Sequence, residues 1–231
     1  MKKYKHIFFD LDRTLWDFDK NSHEAYHDIY EKYQLFDKGV NSFKAFAECY
    51  LRHNAELWAL YVEGKIEKSY LSSRRFEVTL LDFGINDPEL ARQIGNDYIT
   101  ISPTKTNLFP NSIETLEYLS KRYPLHIITN GFEEVQFHKL RNSGLDKYFD
   151  KVITSEAAGC MKPDNCIFKF ALETANALPH ESLMIGDDIE VDILGAQNNG
   201  MDTVFFNPNR IAHNGGIQFE IFDLIELKNL V

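Results

Sequence analysis

The stretch I-F-F-D-L-D-R-T-L, residues 7–15, joins a short apolar run to two carboxylates that lie two residues apart. The run Ile7, Phe8 and Phe9 follows polar residues and is typical of a strand that is buried on both faces of a sheet. Alternation along the strand points Asp10 and Asp12 to the same side. Two carboxylates at close range are costly in a core unless a cation lies between them. The pair therefore indicates a metal or catalytic site, with a surface turn after an edge strand as the alternative.

The composition is that of an ordinary globular protein, with 44% hydrophobic and 26% charged residues among 231. This length predicts one large domain or a domain with a sizeable insert. The formal net charge of −10 argues against a nucleic-acid backbone or an anionic membrane as a partner. No apolar run approaches bilayer length, and Asp10 interrupts the first run far short of a signal-peptide core. The cysteines Cys49, Cys160 and Cys166 have no C-x-x-C spacing and predict reduced thiols in a cytoplasmic protein.

Helical periodicity dominates residues 19–104, where no segment alternates as a strand does. Four helices are predicted, from about residue 21, over 42–62, over 67–82, and from Asp87-Pro88 to about residue 101. Phe46 and Tyr50 lie on the apolar stripe of the second helix and are expected to pack the interior. Trp58 and Tyr61 lie off that stripe and are candidates to stack on a flat substrate base.

After residue 108 short apolar segments alternate with helical ones. The strands are L-H-I-I-T-N-G (125–131), K-V-I-T-S (151–155), S-L-M-I-G-D-D (182–188) and D-T-V-F-F-N (202–207), and helices are predicted over about 112–122, 133–142, 165–176 and 190–199. Strands separated by helices of this length predict βαβ units and a parallel sheet with right-handed crossovers. The fold class is therefore α/β, with residues 1–18 and 105–231 as the core and residues 19–104 as a helical insertion.

Further polar groups follow the later strands, and ligands of open parallel sheets bind at the carboxyl ends of the strands. Thr129-Asn130-Gly131 can cradle an anion or merely form a turn. Lys162, before Pro163, can neutralise a phosphate or be a solvated surface lysine. The run G-D-D-I-E-V-D, residues 186–192, can hold a cation or simply cap a helix, and Asp187 is the residue that points out of the strand end.

The segments D-L-D-R-T, I-I-T-N-G, M-K-P and G-D-D-I-E-V-D resemble, in order, the four motifs of the haloacid dehalogenase-like hydrolase superfamily. The resemblance covers almost the whole chain and implies a Rossmann-like parallel-sheet core with an inserted all-helical cap. The segments L-W-x(3)-V-E-G-K-I, R-R-F, I-I-T-N-G-F, Y-F-D, S-E-x-x-G and K-P are similar to the cytoplasmic nucleotidases of this family that act on pyrimidine monophosphates.

The resemblance implies a phosphatase mechanism centred on the two acids. Asp10 is then the nucleophile that forms an aspartyl-phosphate, and Asp12 is the general acid and base. Mg²⁺ would bind the Asp10 carboxylate, the backbone carbonyl of Asp12 and Asp187.

The same resemblance assigns supporting roles to residues of the other motifs. Thr129 and the Asn130 amide would hold phosphate oxygens, and Lys162 would pair with the phosphate and with Asp10. Asp188 and Asp192 are both candidates for holding metal waters or orienting Lys162.

One position departs from the family pattern. Arg13 stands where members usually carry Gly, Asp or Glu. It would bind a substrate group if its side chain faces the site, and would be a surface charge if it faces away.

The expected function is a Mg²⁺-dependent phosphomonoesterase on a small metabolite, with nucleoside monophosphates as the preferred substrates. The alternatives are a phosphatase of a sugar phosphate or a phosphoglycolate-like compound, a phosphomutase, a haloacid dehalogenase and a non-catalytic binding module. Displacement of chloride needs neither a second acid nor a metal, so the presence of Asp12 and Asp187 argues against a dehalogenase. A binding module would be expected to have lost Asp10, Asp12 or Lys162, and all three are present.

Overall fold

The computed structural model describes residues 4–214 and 216–231. Residues 1–3, which belong to the segment considered as a signal peptide, lie outside this range. The chain divides into two compact units, one of Met1–Phe18 with Thr106–Val231 and one of Asp19–Lys105. That residues 19–104 act as a cap stays a prediction.

A parallel sheet forms the centre of the first unit. The described residues contain six strands: β1 His6–Phe9, β2 Leu125–Thr129, β3 Phe149–Thr154, β4 Ser182–Gly186, β5 Asp202–Phe206 and β6 Phe219–Ile221. Their order across the sheet is β3-β2-β1-β4-β5-β6, and all neighbours pair in parallel. The chain therefore changes direction across the sheet between β1 and β4, which is where open α/β sheets bind ligands.

The alternation of β1 distributes its side chains between the two faces of the sheet. Ile7 and Phe9 pack into the apolar cluster on one face, and Phe8 packs into the cluster on the other. All three are fully buried, and burial of one such side chain contributes about 1.5–3 kcal/mol. The sequence-based strands are confirmed except that β6 was missed, because its three residues Phe219–Ile221 form no apolar run.

Four helices make up the second unit almost entirely. They are α1 Phe18–Lys32, α2 Phe43–Val62, α3 Lys68–Asp82 and α4 Pro88–Ile101. The side chain of Asp87 accepts the backbone N–H of Leu90 at 2.9 Å, which is the N-cap that the Asp-Pro pair predicted. Phe46 and Tyr50 are fully buried in the aromatic core of this unit, so their predicted packing role is confirmed.

The helices of the first unit lie between and after its strands. They are α5 Ser112–Leu119, α6 Glu133–Asn142, α7 Ser155–Ala158, α8 Asn165–Ala175, α9 Gly195–Gln197 and α10 Leu227–Leu230. The α-helix predicted over 190–199 was wrong in its first half. Ile189–Leu194 is a π-helical turn, since the carbonyl of Asp188 accepts the N–H of Ile193, five residues on, as well as that of Asp192. Within the described residues, every helix falls short of the length or the apolar character that a bilayer span requires.

The prediction of three reduced thiols was wrong for one pair. Cys160 and Cys166 are joined as a disulfide, with their Cα atoms 6.4 Å apart, whereas Cys49 is a buried free thiol. The chain turns between Cys160 and Cys166, so the two residues lie close together although their spacing matches no familiar cysteine motif.

A buried histidine in the sheet, His126, lies beside the half-buried His6 and makes stability depend on pH. His126 is 2% exposed, its Nε2 lies 3.1 Å from Nδ1 of His6, and its Nδ1 has no hydrogen-bond partner among the described residues. Burial, reinforced by the neighbouring His6, lowers the pKa of His126 to about 4. An unfolded histidine has a pKa of about 6.5, so between these values the unfolded chain binds a proton that the folded chain does not.

We expect the contribution of His126 to the free energy of unfolding to fall as the pH drops from about 6.5 to about 4, whereas the raised pKa values of Asp10 and Asp187 act in the opposite direction over this range. The difference in unfolding free energy between the wild type and His126→Leu, measured by urea unfolding at several pH values, should therefore decrease as the pH drops over this range. His180→Leu, at an exposed position, is the control and should keep the wild-type dependence. Equal slopes for His126→Leu and the wild type would contradict the assignment.

Candidate active site

The carboxyl ends of three adjacent strands bring the predicted site residues to one edge of the sheet. Phe9, at the end of β1, pairs with Ile127 of β2 on one side and Ile185 of β4 on the other. Asp10 continues this register, because its backbone N–H donates to the carbonyl of Ile185 at 2.9 Å. The residues at or just after these three strand ends therefore converge, as the sequence analysis expected.

Lys162 lies between two buried carboxylates. Its Nζ donates to Oδ1 of Asp10 and to Oδ1 of Asp192, both at 2.6 Å. Relative exposures are 2% for Lys162, 6% for Asp10 and 1% for Asp192. Burial disfavours the ammonium, but the charges of Asp10 and Asp192 outweigh it and raise the pKa of Lys162. The lysine is therefore a fixed positive charge beside Asp10.

The backbone of Lys162 is held by the side chain of Asn130. Oδ1 of Asn130 accepts the N–H of Lys162 at 2.8 Å, and its Nδ2 donates to the carbonyl of Lys162 at 2.9 Å. The sequence analysis missed this contact because the residues are 32 positions apart and carry no shared pattern. The contact of Asn130 with phosphate stays a prediction.

Asp188 and Asp192, the two candidates for orienting Lys162, have different partners. Oδ1 of Asp188 accepts the N–H groups of Glu190 and Val191, both at 2.9 Å, which is a helix cap. Asp192 is turned inward to Lys162 by the π-helical turn. A Cβ at Gly186 would lie 2.4 Å from Cγ of Asp192, so glycine is needed there. Of the two candidates, Asp192 is the one that contacts the lysine.

Three carboxylates form a cluster that suits a cation. One oxygen each of Asp10, Asp187 and Asp192 lie within 4.8 Å of one another. Burial and the neighbouring carboxylates together raise the pKa of Asp10 to about 7 and that of Asp187 to about 8, against the opposing charge of Lys162. Hard oxygen donors with excess negative charge are the donor set that Mg²⁺ prefers. The side chain of Asp12 is not part of this cluster.

Asp12 is held instead by two side chains of α6. Lys139 Nζ donates to its Oδ1 at 2.6 Å, and Gln136 Nε2 donates to its Oδ2 at 3.0 Å. Both donors are buried, with relative exposures of 3% and 0%. Sequence reasoning missed them because Lys and Gln on a helix usually face solvent. Their spacing of three residues, which places them on one helical face, was the available signal.

Gln136 also reaches the predicted phosphate ligand Thr129. Its Nε2 donates to Oγ1 of Thr129 at 2.6 Å, and the N–H of Gly131 donates to the same oxygen at 3.1 Å. Thr129 is 1% exposed and lies at the end of β2. Gln136 therefore donates both to Asp12 of the first motif and to Thr129 of the second.

A family model described as haloacid dehalogenase-like hydrolase matches residues 7–206, well over half of the chain. The chain belongs to this hydrolase family. Its resemblance to the family, its fold class and its assignment as a hydrolase are thereby confirmed.

Relatives of this family member are named for action on different phosphate esters. The pyrimidine 5′-nucleotidase PynA of Streptococcus pneumoniae is 31% identical over 228 residues, covering 97% of this chain and 93% of PynA. A glyceraldehyde 3-phosphate phosphatase of Methanothermobacter thermautotrophicus is also 31% identical, over 98% of this chain and 99% of that protein. The magnesium-bound crystal structure of the HAD-hydrolase YfnB from Bacillus subtilis has a TM-score of 0.88 and 27% identity, and the match covers 99% of both chains.

The unusual Arg13 of this hydrolase occupies a backbone position that favours glycine. Its φ is 64°, in the left-handed region, which glycine adopts with less strain than other residues. The guanidinium carbon lies 4.4 Å from the ring centroid of Phe18, and the side chain is exposed. Burial and the neighbouring carboxylates raise the pKa of Asp187, and the charge of Arg13 opposes that rise. Arg13 is therefore an exposed residue whose charge reaches the carboxylate cluster.

Proposed function

We propose that this hydrolase is a Mg²⁺-dependent phosphomonoesterase that forms an aspartyl-phosphate on Asp10. The observation that carries the proposal is the buried Asp10 carboxylate, 2.6 Å from the Lys162 ammonium and clustered with Asp187. A carboxylate beside a fixed cation can approach a phosphate dianion that an isolated carboxylate would repel. Asp12, two positions on, supplies the second carboxyl group that ester hydrolysis needs.

The proposed reaction consists of two successive displacements at phosphorus. In the first, an oxygen of Asp10 bonds to phosphorus, the bond to the ester oxygen breaks, and protonated Asp12 gives its proton to that oxygen. In the second, Asp12 takes a proton from water as the water oxygen bonds to phosphorus, and the bond to Asp10 breaks to release phosphate. Lys162 and Thr129 stabilise the charged oxygens of the phosphoryl group in both steps.

The metal site would use oxygen donors of the first and fourth motifs. The carboxylates of Asp10 and Asp187 and the backbone carbonyl of Asp12 would hold Mg²⁺, which takes few protein ligands and keeps several waters. When bound, the ion offsets the repulsion between Asp10 and the substrate dianion.

The preferred substrate class is a nucleoside monophosphate, with a pyrimidine base favoured. This choice is supported by the segment L-W-x(3)-V-E-G-K-I, by the other segments that resemble pyrimidine nucleotidases, and by the similarity to PynA. The glyceraldehyde 3-phosphate phosphatase, which is also 31% identical to this chain, favours a small sugar phosphate as the second candidate.

The test is a screen of phosphate release over nucleoside monophosphates, sugar phosphates, pyridoxal phosphate and flavin mononucleotide, with and without Mg²⁺. Pyrimidine nucleotides are expected to show the highest kcat/KM, and release should need no sugar bisphosphate, which separates hydrolysis from a phosphomutase. If sugar phosphates outrun every nucleotide by about tenfold or more, the nucleotide assignment fails and the phosphatase assignment stands. If no ester releases phosphate, the whole proposal fails.

Recognition of the base is proposed to involve Trp58. The rings of Trp58 and Tyr61 lie 5.5 Å apart on α2, and both side chains are half-buried. We expect Trp58→Ala to lower kcat/KM for nucleotides about 3- to 10-fold, because an aromatic stack contributes about 0.5–1.5 kcal/mol. The same variant should leave p-nitrophenyl phosphate hydrolysis nearly unchanged. Phe36→Ala, at a side chain that is 60% exposed, is the control and should change neither substrate. Equal losses for both substrates would refute a role in base recognition.

A further inference from the structure

Two buried donors on α6 are arranged around Asp12. Lys139 and Gln136 donate to different oxygens of its carboxylate, at 2.6 and 3.0 Å. The Lys139 ammonium also lies 4.2 Å from the ring centroid of Trp16, over an aromatic face that favours a cation. Burying an ammonium and an amide is costly unless their polar groups are paired, and these contacts pair the donors of both residues, whereas Oε1 of Gln136 has no partner among the described residues.

The contact of Gln136 with Thr129 determines how that hydroxyl can bond. A threonine hydroxyl has two acceptor lone pairs and one O–H donor. The N–H groups of Gln136 and Gly131 occupy both acceptor positions, at 2.6 and 3.1 Å. The remaining capacity of Thr129 is its O–H proton, which is what an anionic phosphate oxygen requires.

The backbone next to Thr129 is shaped to admit the glutamine. A Cβ at Gly131 would lie 2.4 Å from Cδ and from Nε2 of Gln136. Any other residue at this position would therefore displace the Gln136 amide. The glycine of the T-N-G segment is thus explained by the side chain that packs against it.

We propose that Gln136 and Lys139 are positioning residues that hold the Asp12 carboxyl in one orientation, and that Gln136 also makes the Thr129 hydroxyl an obligate donor to phosphate. This rests on the proposed phosphomonoesterase function. A fixed orientation matters most when Asp12 must protonate the ester oxygen, because proton transfer requires the donor at hydrogen-bond distance. Esters with a poor leaving group depend on this proton, whereas p-nitrophenolate leaves with little need of it.

The experiment compares kcat/KM for uridine 5′-monophosphate and for p-nitrophenyl phosphate in Lys139→Met and Gln136→Met. We expect kcat/KM for the nucleotide to fall about 10- to 100-fold, within the range of general acid catalysis, and that for the aryl ester about threefold or less. Because both substrates are assayed on one preparation, the ratio is independent of the fraction that is folded. Arg141→Met, an exposed position on the same helix that also loses a cation, should leave both values unchanged.

A second measurement separates the two positioning residues. Gln136→Met should raise the inhibition constant of inorganic phosphate about 3- to 10-fold, because the hydrogen bond from the Thr129 hydroxyl to phosphate is weakened rather than lost. Lys139→Met should leave that constant unchanged. Gly131→Ala should reproduce the Gln136→Met result without altering the glutamine itself.

Lys139→Arg keeps a charged donor and should recover most of the nucleotide activity. The inference is overturned if the ratio of kcat/KM for the nucleotide to that for the aryl ester does not change, whether both values fall in equal proportion or neither falls. Failure of the proposed function would look different, because the wild type would then hydrolyse neither ester. If the screen ranks a sugar phosphate above the nucleotides, that alkyl ester replaces uridine 5′-monophosphate and the comparison is unaffected.

Discussion

Asp10→Asn is expected to abolish phosphate release, with a loss of about five or more orders of magnitude, on the scale seen when catalytic nucleophiles are removed. The amide is neither a nucleophile nor a good ligand of Mg²⁺. Asparagine has nearly the same shape as aspartate, so the fold should remain intact by circular dichroism and thermal unfolding. Acid quench of the wild type during turnover, followed by mass spectrometry, should show a phosphoryl group on Asp10.

Two further variants calibrate this result. Asp12→Asn should be slow rather than inactive, with a loss of about 10²- to 10⁴-fold, because it removes acid–base assistance and leaves the nucleophile. Asp146→Asn, the same chemical change outside the site, should behave as the wild type. Near-normal phosphate release by Asp10→Asn would eliminate the covalent mechanism.

Removal of divalent metal is expected to have the second largest effect. One oxygen each of Asp10, Asp187 and Asp192 lie within 4.8 Å of one another. The single positive charge of Lys162 cannot neutralise all three carboxylates. We expect chelation to remove activity and Mg²⁺ to restore it, as measured by phosphate release during metal titration. Ca²⁺ should not restore it, because it prefers more ligands and a looser geometry, which would misplace the phosphate relative to Asp10.

A second group of potential ligands requires its own control. Cys49, His53 and Asp82 also place one ligand atom each within 4.8 Å of one another. Sulfur and imidazole donors suit zinc rather than Mg²⁺. His53→Ala should therefore leave the Mg²⁺ titration unchanged, whereas Asp187→Asn should shift it to higher Mg²⁺. Full activity in chelator, with metal-free protein shown by elemental analysis, would contradict a metal-dependent mechanism.

The sequence by itself determined the fold class and the edge of the sheet where the candidate site lies. Apolar runs that alternate with helical segments specify a parallel sheet, and every strand of such a sheet ends at the same edge. Asp10, Thr129 and Asp187 lie at or just after these ends, so their convergence follows from local pattern alone. The helix starts at Asp87 and Ser42 were likewise predictable, because caps are local.

Only the tertiary structure decided which side chains contact one another across the site. The choice of Asp192 over Asp188 depends on a π-helical turn that no periodicity predicts. The donation of Lys139 and Gln136 to Asp12 joins segments more than 120 residues apart. A sequence pattern specifies which face of an element is buried, but the pairing of polar groups depends on distances and directions between elements, which exist only once the chain has folded.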